Sequence, residues 1–179
     1  MHVGSLPTVE HEQVYLRPLL AADIVRWVSY LHLPAVYEHT SWNFPTVEQL
    51  GSYLGCERST DPAAGLRLAI ALKQTNELVG TIGFHSVMPL NHSAELTYDL
   101  HPTLWGRGII SAVGASVVGW AHHEAGCDRV QATVLDTNLA SQRVIERLGF
   151  AKEGLLKHYR YVRGTARDFW IYSHLAQGA

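Results

Sequence analysis

The segment Leu104-Trp105-Gly106-Arg107-Gly108-Ile109-Ile110-Ser111 sets two glycines and a cation directly before a long apolar run. If that run is a helix, its first N–H groups lack intrahelical acceptors, and with the axial dipole they make a local anion site. Residues without Cβ atoms let a phosphate approach such a backbone. Arg107 either adds a side-chain contact or is merely solvated, and a purely structural turn is the competing reading of an isolated GxG. The spacing is neither GxxxxGK[ST] nor GxGxxG, so the nucleoside triphosphate loop and the dinucleotide fingerprint are both unmatched. Just upstream, Ala94 to Leu100 alternates so that Glu95, Thr97 and Asp99 share one face and Leu96, Tyr98 and Leu100 the other. One face is dry, and the other carries carboxylates fit for proton transfer. Downstream, Asp136, Thr137 and Asn138 are all helix-capping types.

These residues need a scaffold, and the pattern supplies one. Gln13 to Leu19 alternates as a first strand, ending near Pro18. Ile24, Trp27, Val28 and Leu31 recur at helical spacing, with Asp23 in the first turn and Pro34 as an interruption. Thr46 and Gln49 have capping-box spacing and open a second helix through about Leu54. Leu66 to Leu72 and Leu78 to His85 are apolar runs joined by a polar loop of hairpin length, which predicts two antiparallel strands. After the glycines, Ile110, Val113, Val117 and Trp120 recur at helical spacing, and further apolar residues surround the axis, as for a centrally buried helix. Arg129 to Leu135 is another strand. Ala140, Val144 and Leu148 stripe a last helix with Gly149 at its C′ end, and Phe150 to Leu175 reads as one or two terminal strands.

The order of elements is that of an α/β domain: a mixed sheet with helices on its faces. At 179 residues, 47% of them hydrophobic, one domain over 1–179 is expected, with residues 1–12 as a flexible extension. A formal charge of -2 gives no broad drive toward nucleic acid or an anionic membrane. The N-terminus lacks an export signal, and no apolar run approaches the roughly 20 residues of a membrane span. Cys56 and Cys127 are far apart without CxxC spacing, which fits a reducing cytoplasm. The histidines are scattered, and His122-His123-Glu124 lacks the i, i+4 pairing of a helical metal site, so no metal is expected.

A polar-faced strand, a glycine turn, a buried helix, a strand and then Asn138 opening a helix resemble the GCN5-related N-acetyltransferase (GNAT) family over essentially the whole chain, and within it the RimJ/RimL type, which acetylates protein N-terminal amines. The matching stretches are LTYDLHPTLWGRGIIS at 96–111, VQATVLDTNLASQRVIERLGF at 130–150, and the tail with Gly164, Asp168 and Tyr172. The family's cofactor loop reads Gln/Arg-x-x-Gly-x-Gly/Ala. Trp105 to Ile110 keeps the central glycine and departs at both ends, Ile110 narrowing the room for close approach.

The resemblance implies a single-domain fold with a mostly antiparallel sheet of six or seven strands, splayed in the middle, with helices on both faces. It implies acetyl-CoA as co-substrate, its pyrophosphate on the amides of about Arg107 to Ser111, contacts from Trp105, Gly106, Gly108, Ile109, Ile110 and Asn138, and its pantetheine arm in the gap between two strands. A backbone N–H near Leu100 or His101 would polarise the thioester carbonyl. Direct attack requires a neutral amine, and Glu95, acting directly or through water, is the first candidate to take its proton, with Asp99 second. Ser141 stands at the family position for protonating the departing thiolate, and a capping role is its alternative. Tyr98 would line the acceptor tunnel or belong to the core. Trp42, His158, Tyr159 and Tyr161 would border the acceptor mouth. The likeness points to a cytoplasmic enzyme, sometimes a homodimer, acting on a protein N-terminus such as that of a ribosomal protein. Acetyl transfer to an amino acid, polyamine, antibiotic or peptide nucleotide, and a non-catalytic acyl-CoA sensor, are the alternatives.

Overall fold

The computed structural model describes residues 5–177. Seven strands form one sheet in the order β1-β2-β3-β4-β5-β7-β6. They are β1 (Val14–Pro18), β2 (Leu66–Leu72), β3 (Leu78–Met88), β4 (Ser93–Leu100), β5 (Arg129–Leu135), β6 (Ala151–Val162) and β7 (Thr165–Leu175). Every neighbouring pair is antiparallel except β4 and β5. Those two run parallel and are paired only from Ser93–Arg129 to Glu95–Gln131. Beyond Glu95 they diverge, which is the expected split in the sheet.

The helices are α1 (Asp23–Leu31), α2 (Pro34–Tyr37), α3 (Val47–Gly51), α4 (Ile109–His123) and α5 (Leu139–Arg147). Strand alternation sorts them onto two faces. Leu66, Leu68 and Ile70 of β2, Leu96 and Leu100 of β4, and Val130, Ala132 and Val134 of β5 pack with Val113, Val117 and Ala121 of α4 and Ile145 of α5. On the opposite face, Trp27, Tyr30 and Leu31 of α1 join Val36, Leu50 and Ala69 in a second cluster. Helix α4 is apolar around most of its circumference because it is sunk into the larger core.

Several local rules act as the sequence suggests. Thr46 and Gln49 close a reciprocal capping box. Asn138 caps α5 through the Ser141 N–H at 3.0 Å. After α5 the Gly149 and Phe150 N–H groups return to Glu146 and Ile145, a Schellman ending with Gly149 at a φ of 85°. The terminal region is a two-stranded hairpin whose turn, Arg163-Gly164, has positive φ at both residues, as a type I′ turn requires.

Other elements differ from expectation. Pro34 begins α2 rather than only ending α1, because proline is well suited to the first helical position. Helix α3 stops at Gly51 and continues as turns. Strand β3 runs on to Met88 past an irregularity after His85. Within the stretch expected as a flexible extension, Leu6 and Val9 pack against the larger core and the Trp120 indole donates to the Ser5 carbonyl at 2.7 Å.

At Gly83 strand β3 runs against β2 with no room for a side chain. A Cβ there would lie 1.9 Å from the Leu66 carbonyl oxygen, which is backbone and cannot swing aside. Gly83→Ala is therefore expected to lower unfolding free energy by about 2–3 kcal/mol or more in urea titrations, since overpacking must displace a strand.

Candidate functional site

A cavity of about 370 Å³ passes through the split between β4 and β5. On the α4 side its wall includes Leu100, Trp105, Gly106, Gly108, Ile109, Ile110, Ser111, Asn138 and Ser141. On the α1 side it includes His39, Trp42, His85, Glu95, Arg160 and Phe169. One continuous space thus joins the start of α4 to a polar cluster on the other face of the sheet.

The α4 end of the cavity presents open main chain. Gly106 and Gly108 adopt φ values of 74° and 73°, a left-handed conformation that strains other residues, and Gly108 is the N-cap of α4. Among the described residues, a Cβ on either would meet no atom within 4 Å, so this backbone faces open space. The N–H groups of Ile109, Ile110 and Ser111 belong to the first helical turn, where no intrahelical acceptor exists. The Trp105 indole donates to the Leu100 carbonyl at 2.8 Å and so ties the loop to the end of β4. Arg107 is exposed and turned elsewhere: it borders a separate depression with residues 9–13 and Lys73 and does not line the main cavity. Arg147 of α5, unmarked in the sequence, lines the cavity instead.

Backbone alternation separates the two candidate amides of β4. The His101 N–H donates to the Val79 carbonyl at 2.7 Å and is consumed by β3. That bond puts Leu100 in a non-hydrogen-bonded pair with Gly80, so the Leu100 N–H points away from β3, into the split. Leu100 and not His101 is the available donor.

Tyr98 and Ser141 face each other across the gap, Oη to Oγ at 2.7 Å. Burial pushes the Tyr98 phenol up to about 12, so it stays a proton carrier at neutral pH. Tyr98 packs against the larger core, on the α4 face of the sheet. It therefore lines the cavity from the α4 face, on the side opposite His85 and Glu95. Asn138 caps α5 with its oxygen and donates from Nδ2 to the His39 carbonyl at 2.7 Å, holding the loop after α2 over the cavity.

The two strand carboxylates have different fates. Asp99 is 5% exposed and accepts from the Trp27 indole at 3.3 Å, Arg67 at 2.5 Å, Thr81 at 2.7 Å and the Tyr30 hydroxyl. Burial, reinforced by the Asp99 charge, holds the Tyr30 phenol well above its usual range, so Tyr30 remains a donor. Three of these donors meet Oδ2 and Tyr30 meets Oδ1, so the Asp99 carboxylate is held in a buried network beneath α1 where it borders the cavity. Glu95 lines the cavity, but it is 2% exposed and accepts from Thr133 at 2.5 Å, Arg160 at 3.0 Å and Gln131 at 3.5 Å.

Of the residues expected at the acceptor mouth, Trp42 lines the cavity and meets Trp27 edge-on at 6.3 Å. His158, Tyr159 and Tyr161 do not line it. The His158 N–H is tied to Asp168 at 2.7 Å, Tyr159 packs on Phe169, and Tyr161 is 72% exposed. Their neighbours Arg160 and Phe169 take the place, because the irregular pairing of β6 between Leu156 and Arg160 re-aims the side chains. His85 is the other residue passed over. Its position opposite Glu95 in the β3–β4 pairing, at the end of an otherwise apolar strand, was the signal available for it.

Residues 13–151 match the family described as acetyltransferase (GNAT) domain. Over 109 residues the chain is 39% identical to the uncharacterized N-acetyltransferase YoaA of Bacillus subtilis, covering 61% of this chain and 62% of that protein. It is 32% identical over 103 residues to the ribosomal-protein-serine acetyltransferase of Escherichia coli, covering 56% of each. The chain spans about three fifths of the length of the first curated relatives it matches. Among solved structures, ribosomal-protein-S5-alanine acetyltransferase from Vibrio fischeri superposes with a TM-score of 0.82 at 21% identity, covering 96% of this chain and 97% of that one. Mycobacterium smegmatis RimJ in complex with CoA-disulfide gives 0.80 at 25% identity, covering 99% and 91%.

Proposed function

This chain belongs to the GNAT acetyltransferase family, and from that premise we propose that it transfers the acetyl group of acetyl-CoA to a protein N-terminal α-amine of the ribosomal-protein type. One observation carries the reading: a single cavity runs through the sheet from the bare N-terminus of α4 to a carboxylate on the far face. A thioester carrier and an amine can then meet from opposite sides without either passing through the core.

On the carrier side, the amides of Ile109 to Ser111 hold the diphosphate, with Gly106 and Gly108 giving clearance. The backbone groups left unpaired by the divergence of β4 and β5 take the pantetheine amides as an added strand would. The Leu100 N–H aims at the position of the thioester oxygen, and there a fixed dipole stabilises the charge that develops. The Tyr98–Ser141 pair hydrogen-bonds the departing sulfur and supplies its proton. On the acceptor side, Trp42 and Phe169 flank the approach, and Glu95, held by Arg160 and Thr133, supplies negative charge that favours an ammonium. An α-amine with a pKa of about 7.7–8.0 needs only modest help to become a nucleophile at neutral pH.

The relatives named for ribosomal-protein serine and alanine acetylation support the choice of acceptor. Thiol release from acetyl-CoA tests it, with peptides beginning in Ser or Ala set against spermidine and free amino acids. Turnover is expected with the peptides. Turnover confined to the small amines would replace the acceptor class, and binding of acetyl-CoA with no thiol released by any amine would favour a sensor.

A further inference from the structure

Resting on that reading, we propose that His85, not Glu95, is the residue that takes the proton from the acceptor amine, and that Glu95 is a positioning residue locked behind it. The two stand opposite each other on β3 and β4. Both line the cavity on its α1 face, yet they differ in access: the Glu95 side chain is 3% exposed and that of His85 34%. Glu95 Oε1 is occupied by Thr133 and Arg160, and Oε2 faces Gln131 at 3.5 Å within an almost wholly buried side chain. His85 has its Nδ1 3.0 Å from the Ser86 hydroxyl, and its Nε2 lies 3.7 Å from Glu95, beyond hydrogen-bonding reach. If Nδ1–H donates to Ser86, the Nε2 lone pair is free on the cavity side, the geometry required of a general base.

The charges around the imidazole suit the task. Burial draws its pKa below the ordinary value, Glu95 opposes that shift, and Arg160 and Arg67 reinforce it. His85 therefore starts as a neutral acceptor at physiological pH. Once protonated at Nε2, it becomes a cation directly beside the Glu95 carboxylate, which stabilises it. Of the two protons an acceptor ammonium loses on acetylation, one goes to Nε2 and then to solvent. The other ends on the departing sulfur. The amine lone pair forms the C–N bond as the C–S bond breaks.

The test compares wild-type protein with His85→Gln and His85→Ala, using acetyl-CoA and a peptide beginning in Ser. Both variants should bind acetyl-CoA as the wild type does, because His85 lies across the sheet from the α4 end. Their kcat should fall by about 100- to 1000-fold, within the usual range for a lost general base. Wild-type kcat should decline as pH drops through a pKa below the ordinary imidazole value, and this limb should vanish in His85→Gln. Added imidazole should restore part of the His85→Ala rate, which a merely structural role would not allow. If wild type turns over the peptide while His85→Gln stays within threefold and keeps its acid limb, Glu95 is itself the base and the assignment is wrong. No thiol release by wild type with any amine would overturn the proposed function and this assignment with it.

Discussion

Gly108→Val should weaken acetyl-CoA binding about 100-fold, or about 2.7 kcal/mol, while the protein still folds. Gly108 holds a φ of 73° at the N-cap of α4, with empty space where a Cβ would stand. A β-branched residue in that region is strained, by about 1–2 kcal/mol for an ordinary L-residue, so the free protein loses a little stability. Its larger effect is on the ligand side, because the isopropyl group fills the space through which an anion reaches the amides of Ile109 to Ser111. Thermal shifts separate the two effects. At acetyl-CoA concentrations of about 100 times the wild-type Kd, the wild type gains about 2.7 kcal/mol from binding. The variant gains only a few tenths. Gly108→Ala, with the same backbone demand and a smaller group, should fall between them.

Asp99→Ala should lower unfolding free energy by about 3–5 kcal/mol, the usual cost of stranding a buried charge. Its partner Arg67 is 2% exposed and directs its three guanidinium nitrogens to Thr81, Thr97 and Asp99. Removing the carboxylate leaves that cation facing a low-dielectric interior, and the Tyr30 hydroxyl and Trp27 indole lose their acceptor at the same stroke. Urea titration at constant m-value is the measurement. The double variant Arg67→Met/Asp99→Leu should recover much of the loss, because the cost lies in the unpaired charge rather than in the absence of the pair. A single Asp99→Asn that folds normally yet abolishes turnover would instead return Asp99 to the chemistry.

How far the sequence reveals this depends on the range of the interaction involved. Strand β2 is read to the residue, and α4 and α5 nearly so, because their signals lie within one segment: an apolar run of strand length, a helical stripe after glycines, and Asn138 and Gly149 at the two ends of α5. The glycine turn before α4 and the Asn138–Ser141 pair are legible for the same reason. Pro34 misleads because one residue type serves both as a helix breaker and as a helix start. The polar cluster is the harder case. Arg160 is 65 residues from the Glu95 it pairs with, and its place depends on the irregularity in β6 that turns it inward and His158 outward. No local pattern encodes that. Glu95, Thr97 and Asp99 share a strand face as alternation requires and all three border the cavity, but only the packing of α1 gives Asp99 the Trp27 and Tyr30 donors that Glu95 lacks.

The proposed function requires main-chain amides at the start of α4 to hold the diphosphate of a thioester carrier. Isothermal calorimetry of acetyl-CoA against wild type and Gly108→Val tests it most directly. Saturable one-to-one binding by the wild type, weakened about 100-fold in the variant, is the expected result. An absence of binding heat at several temperatures, or equal affinity in both proteins, would contradict it.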